Sequence, residues 1–276
     1  MKRKPVGKII VNILVILLCC VWLVPVYMVI VNAFKSRAEL YENIFAFPKH
    51  FTLEYFQGAL KKMDFLMAFK NSIIVTVIAV GIIVLLSAMT AWMFVRSNNK
   101  LSKFLYGLLI LTMLIPFQTI MITLLKAMSV IRLSGSRVGL GIQYWGFGIP
   151  MAVFIFYNFM KTIPKELDES AQIDGASTMR TFISVIFPLL KSVTVTVLVL
   201  DVMWIWNDFL LPLLMVNASN TTKTLVLAAY TFVGQMNTQW QYAMTGMVLA
   251  VFPSILVFIF LQKYIVEGVV AGAVKG

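Results

Sequence analysis

The sequence predicts an all-α polytopic membrane protein with about six transmembrane helices. Three observations predict it. Of the 276 residues, 61% are hydrophobic and only 12% charged, with a mean hydropathy of +0.92, whereas soluble domains are about 45–50% apolar and about 25% charged. The apolar residues gather in runs of the ~20 residues that a spanning helix needs, or more. Lys and Arg collect at the ends of those runs, so the net charge of +12 follows a membrane topology. It does not form the single basic patch of a nucleic-acid binder, and no nucleic acid is expected as a partner.

Each element follows in order. The N-terminus carries Lys2, Arg3, Lys4 and Lys8 ahead of an apolar run at 9–34. That run exceeds the ~7–15 residue core of a signal peptide. It is expected to be a first span with its basic start in the cytoplasm. Residues 35–70 are polar, mixed in charge and rich in aromatics, which predicts an external loop with short interfacial helices and closes an N-terminal region 1–70. A core region, 71–265, should hold spans near 71–95, 104–125, 142–160, 190–216 and 243–265. Pro116 lies midway along the third, where a missing N–H frees a carbonyl and predicts a kink facing protein or water. Residues 96–100 read as a short cytoplasmic turn, 126–141 and 217–242 as external segments. A cytoplasmic tail, 266–276, is expected to be extended or loosely turned. Six spans place both ends inside.

Much catalytic chemistry is excluded. Cys19 and Cys20 are adjacent within an apolar run, and His50 is the only histidine. No disulfide framework, metal set or catalytic residue follows. No Gly-x-x-x-x-Gly-Lys-Ser/Thr loop is present, so the chain is not expected to cradle ATP itself.

Between the fourth and fifth spans, 161–188 carries Glu166, Asp168, Glu169 and Asp174 among apolar neighbours. Pro164 suits the opening turn of a helix, and the three acids after it fall near the positive end of its dipole. Asp174-Gly175 is a turn signal, and Ser177 can cap a second short helix running toward Pro188. The result is an elbow of two short helices with small residues at the bend. An interfacial amphipathic helix is the alternative reading of the same acids.

Glu169-Ser170-Ala171, Gly175 and Val185-Ile186-Phe187-Pro188 together resemble the cytoplasmic "EAA" loop of importer-type ATP-binding-cassette (ABC) permeases. Ser170, Val185 and Phe187 depart mildly from that family's pattern. The resemblance implies a type I ABC importer permease fold in a bacterial cytoplasmic membrane, with 161–189 as a coupling loop that enters a cleft on an ATPase subunit. Glu169, Ser170, Ala171, Asp174 and Gly175, with Leu167 and Ile173 as apolar contacts, are then the residues expected at that interface.

A second constellation lies in the fifth span. Asp201, Trp204 and Asp208 fall on one face at helical spacing. Trp rings beside carboxylates and Asn207 suit sugar recognition, by stacking on the ring face and bonding hydroxyls. An interfacial aromatic belt would use the same residues. Trp206-Asn207-Asp208-Phe209, followed by Pro212-Leu213, is similar to a segment of the sugar-importing members of the family. The closing run 262–276 resembles that of maltose-type permease subunits, where the tail enters the ATPase dimer interface. This marks Glu267, Gly272 and Lys275.

The family therefore implies a heterodimer with a second permease, an ABC ATPase dimer holding ATP and magnesium, and an extracellular binding protein that delivers a sugar or oligosaccharide. The chain itself, surrounded by lipid, would be neither enzyme nor cofactor carrier. Residues 217–242 are the expected surface for the binding protein, with Gln235, Asn237 and Trp240 at the tip. A permease for another polar solute, such as a glycerol phosphate ester, is the runner-up. A secondary transporter built on Asp201 is the rival from another class.

Overall fold

A computed structural model describes residues 6–97, 99–234 and 238–273, all of whose regular elements are helical. The chain divides into two compact units, one formed by Met1–Leu66 and Ala228–Phe252, the other by Met67–Leu227 and Pro253–Gly276.

In the first unit, α1 (Val6–Ala33) opens the chain and carries Pro25 inside it. At 28 residues it is about 42 Å long, more than the ~30 Å of a bilayer core. Residues along most of its length are exposed and apolar, which suits lipid, and burial begins only at Val31, Asn32 and Ala33. The chain then turns back on the end of α1. The Lys35 ammonium is buried and donates to Asn32 Oδ1 (3.0 Å) and the Asn43 carbonyl (2.8 Å). Burial pushes this ammonium below the usual lysine pKa. Phe34 stacks on Phe51 and Phe56. Two short helices follow, α2 (Arg37–Glu42) and α3 (Glu54–Lys62), in the stretch where short loop helices are expected. Gly58 of α3 is needed as glycine, because a Cβ there would lie 2.6 Å from the Tyr242 ring.

The second unit is built on α4 (Phe65–Ser97) and α7 (Arg137–Met160). Both begin earlier than the hydropathy runs suggest, at Phe65 instead of 71 and at Arg137 instead of 142. Lys70 and Arg137 are absorbed at the helix ends, where long cationic side chains reach polar surroundings. Val75, Ala79 and Ile83 of α4 and Leu140, Tyr144 and Phe156 of α7 belong to one buried cluster. Small residues permit the close approach that spanning helices use in place of a hydrophobic driving force. A Cβ on Gly141 would meet Ile78 at 2.7 Å, and one on Gly148 would meet Ile83 at 2.5 Å.

Two of the expected spans are broken. In the third, α5 (Lys100–Leu111) and a 3₁₀ turn lead to Pro116, after which α6 (Phe117–Val130) departs at 101°. The missing proline N–H that predicts a kink here ends the helix outright. Beyond α7 come α8 (Glu166–Ile173), α9 (Thr178–Thr181), a π-helical turn at Phe182–Ile186 and α10 (Phe187–Leu189). The fifth span, α11 (Lys191–Asn207), then leaves at 79°. It stops at Asn207, and α12 (Leu210–Val216) follows separately. Among the described residues, four helices are long and apolar enough to cross a membrane, and up to six when each bent pair is one span.

Residues 217–242 are not a uniformly polar external segment. α13 (Leu225–Ala229) and a 3₁₀ turn at Tyr230–Phe232 lie within it, and Leu225, Leu227, Ala228, Ala229 and Phe232 are buried. Their apolar side chains outweigh the Asn and Thr before them. The approach to α13 is tied to α4: Asn71 Nδ2 donates to the Thr221 and Lys223 carbonyls (both 2.9 Å), and Ser72 Oγ accepts from the Leu225 N–H (2.8 Å). Finally, α14 (Trp240–Ala273) continues through most of the expected tail, so 266–273 is helical and not extended. No proline after Pro253 interrupts it.

The close approach of α7 to α4 makes a paired prediction. Gly148→Val should destabilise the chain by about 1–3 kcal/mol through overpacking. Gly146, whose Cβ position is open, should accept Val with little effect. Thermal melting in detergent checks the contrast; equal melting temperatures would contradict the packing.

Candidate functional site

The elbow begins where α7 ends in buried Met160. Pro164 stands just before the N-cap residue Lys165, one position outside the helix that it was expected to open. Glu166, Asp168 and Glu169 occupy the first turn of α8, where negative charge meets the positive end of the dipole.

α8 has two faces. Its inner face holds Asp168 (4% exposed) and Ala171. Asp168 is gripped from α4: Trp92 Nε1 donates to Oδ1 (2.6 Å) and Arg96 Nε to Oδ2 (2.9 Å). Arg96 Nη2 also stands 2.8 Å from Oδ2. The guanidinium donates further to the carbonyls of Ile163 and Pro164. A buried carboxylate needs such donors, because an unpaired charge away from water is costly. A cleft of about 340 Å³ opens alongside, lined by Trp92, Arg96, Lys165, Asp168, Gln172 and Thr178 among others.

The outer face presents Leu167, Glu169, Ser170 and Ile173, the last 87% exposed, while Gln172 is exposed on the cleft side. Glu169 pairs with Lys165 at 3.0 Å, both half-exposed or more, and such surface pairs contribute ~0–1 kcal/mol. Ser170 Oγ donates back to the Glu166 carbonyl. Ala171, expected on the outer surface, is turned inward, and its small side chain serves packing within the chain.

The bend is a Schellman turn. The Ala176 N–H donates to the Ala171 carbonyl and the Gly175 N–H to the Gln172 carbonyl, both at 3.0 Å. Gly175 has φ +81°, a conformation that costs an L residue ~1–2 kcal/mol. Nothing lies near its Cβ position, so glycine is required here for its backbone and not for space within the chain. Asp174 caps the end of α8. Ser177 caps α9, its Oγ accepting from the Arg180 N–H. Phe182 and Ile186 of the π-helical turn are buried.

The fifth-span residues are only partly brought together. Trp204, 42% exposed, meets Tyr144 edge-on at 5.5 Å between ring centroids. Tyr144 donates its hydroxyl to Asp208 Oδ2 at 2.8 Å. Helical register does not reach Asp208: its backbone is extended, and Oδ1 accepts from the Leu210 N–H to start α12. Asp201 is buried, with Oδ2 lacking a hydrogen-bond partner. Asn207 is exposed but engaged, donating to the Met203 carbonyl and accepting from Ser254 Oγ at 3.2 Å. Tyr144 escapes a sequence reading, since an uncharged aromatic within an apolar run carries no signal of its partner.

Trp240 opens α14 and is 41% exposed. Gln235, Asn237 and Lys275 lie outside the described residues. Glu267 and Gly272 are on α14, with their side-chain surroundings outside the description.

An all-helical membrane protein with an exposed, internally clamped elbow is the class these features define. Residues 83–270 match the family described as "Binding-protein-dependent transport system inner membrane component". The chain belongs to that family and is therefore a transport permease. It is 38% identical over 275 residues to the probable starch degradation products transport system permease protein AmyC of Thermoanaerobacterium thermosulfurigenes, covering 100% of both chains. It is 34% identical over 257 residues to the multiple sugar-binding transport system permease protein MsmG of Streptococcus mutans, covering 92% of each. A chain from the crystal structure of a bacterial ABC transporter involved in the import of the acidic polysaccharide alginate shares the fold, with a TM-score of 0.81 over 96% of this chain and 98% of that one at 18% identity.

The bend carries its own prediction. Gly175→Ala should lower stability by about 1–2 kcal/mol through backbone strain, seen as faster proteolysis between α8 and α9 in membranes. Unchanged cleavage would show that the turn relaxes without glycine.

Proposed function

We propose that this chain is one of two permease subunits of an ATP-driven importer for a sugar or oligosaccharide. An extracellular binding protein delivers the solute, and a partner ATPase dimer hydrolyses ATP with magnesium. The observation that carries this reading is the elbow: an outer face with nearly bare Ile173, on a helix whose inner face is fixed to α4. Burying an apolar side chain such as Ile173 in a partner's cleft is worth ~1.5–3 kcal/mol.

The elbow then faces the cytoplasm, in agreement with the basic N-terminus and the positive-inside bias, and both termini lie inside. Glu169, held only by a surface pair, can exchange Lys165 for a cation on the ATPase. Nucleotide-driven closure of the ATPase dimer moves the elbow, and the spans alternate between inward- and outward-open arrangements. A carbohydrate is favoured by the exposed Trp204 ring, a stacking face backed by the buried Tyr144 and its bond to Asp208, and by the sugar-related names of the relatives above.

Glu169→Lys reverses the charge on the outer face. It should reduce uptake of radiolabelled maltotriose to background in cells that depend on this chain, while the protein persists in the membrane at its usual amount. Gly175→Arg should do the same. Normal uptake by both variants would contradict the coupling role.

A further inference from the structure

The elbow is joined covalently to α7 through 161–165 and to α11 through the π-helical turn and α10, yet its firmest hold is on α4, which is remote in sequence. Trp92 and Arg96 sit one helical turn apart on a single face of α4. From there they reach three separate segments. Arg96 donates to the Ile163 and Pro164 carbonyls, which belong to the turn between α7 and α8. Both side chains donate to Asp168 on α8 itself, using both carboxylate oxygens. The Trp92 ring also lies 5.4 Å from Phe182, which starts the π-helical turn beyond the bend.

This arrangement differs in kind from the Lys165–Glu169 pair on the outside. That pair is well exposed and contributes little. Around Asp168 the carboxylate is buried and every hydrogen bond to it is charge-assisted, which fixes direction as well as distance. Removing a partner there leaves an uncompensated charge away from water. A helix that is pushed from outside and held this way on its inside cannot slide over α4 without breaking those bonds.

We propose that Trp92, Arg96 and Asp168 form the joint through which force applied to the elbow enters the membrane helices, so that α8 and α4 move as one rigid body. All three are positioning residues. The proposal rests on the reading of the elbow as the ATPase dock, and it adds which span is driven first.

The test uses the whole importer, purified with its partner subunits and placed in lipid nanodiscs, in a background where Cys19 and Cys20 are replaced by Ser. Nitroxide labels at Gln172→Cys on α8 and Lys70→Cys at the far end of α4 report their separation by electron–electron double resonance, with and without ATP plus vanadate. In the parent, one narrow distance distribution should persist in both states. Meanwhile, the labelling rate of Lys70→Cys by a charged maleimide should change by about five-fold or more with nucleotide. Two variants then break the joint. Asp168→Asn removes the charge, and the milder Trp92→Phe keeps the ring against Phe182 but loses the N–H. In each, vanadate-sensitive ATP hydrolysis should continue, the distance distribution should widen, and the labelling rate should stop responding to nucleotide. A distribution and a labelling response that match the parent in both variants would overturn the joint. So would a parent in which the separation itself shifts with nucleotide. An ATPase that fails to co-purify with the parent would overturn the docking reading beneath it, a distinguishable failure.

Discussion

A carboxylate removed from water must find donors, and the clamp on Asp168 is the constraint on which the arrangement of the elbow depends. The ion pair with Arg96 and the indole N–H of Trp92 decide which side of α8 faces inward. With that side settled, helical geometry leaves Leu167, Glu169, Ser170 and Ile173 pointing away. Turning α8 over would bury Glu169 without its lysine and strand Asp168 outside. Paired buried charges of this type are weak evidence for stability but suit the specification of one arrangement over its rivals.

The same accounting governs the rest of the core unit. Within lipid every backbone polar group needs a partner from the protein, and the break between α11 and α12 is matched by one. The first turn of α12 is capped by Asp208, whose other oxygen takes the Tyr144 hydroxyl. The segment leading to α13 has no helix of its own, so Asn71 and Ser72 of α4 satisfy its carbonyls and N–H. Arg137 in turn donates to Asn71 Oδ1. α4 thus anchors two irregular segments, one near each of its ends, and between them Ile78 and Ile83 meet Gly141 and Gly148 of α7.

What a single sequence reveals here is what depends on near neighbours. Long apolar runs disclose the spans, a proline without an N–H discloses the break at Pro116, and Asp-Gly followed by Ser discloses the bend and cap of the elbow. Contacts between distant residues leave no such mark. Asp168 and Arg96 are 72 positions apart and Tyr144 and Asp208 are 64 apart, so the clamp and the Trp204 cluster emerge only when the chain is folded. The inward turn of Ala171 is missed for the same reason: a small residue suits packing within the chain as well as docking from outside. The burial of α13 is missed because Asn and Thr dominate the stretch around it, and their backbone partners lie about 150 positions away on α4.

The central claim is that the outer face of the elbow is an ATPase dock on a permease that works in a pair. Affinity purification tests it most directly, with a tag placed away from the C-terminus, expression in the native host and gentle extraction. The account predicts that an ABC ATPase and a second permease are recovered in amounts comparable to this chain. Recovery of this chain alone, together with solute flux indifferent to ATP, would contradict it and reduce the elbow to a helix lying at the membrane surface.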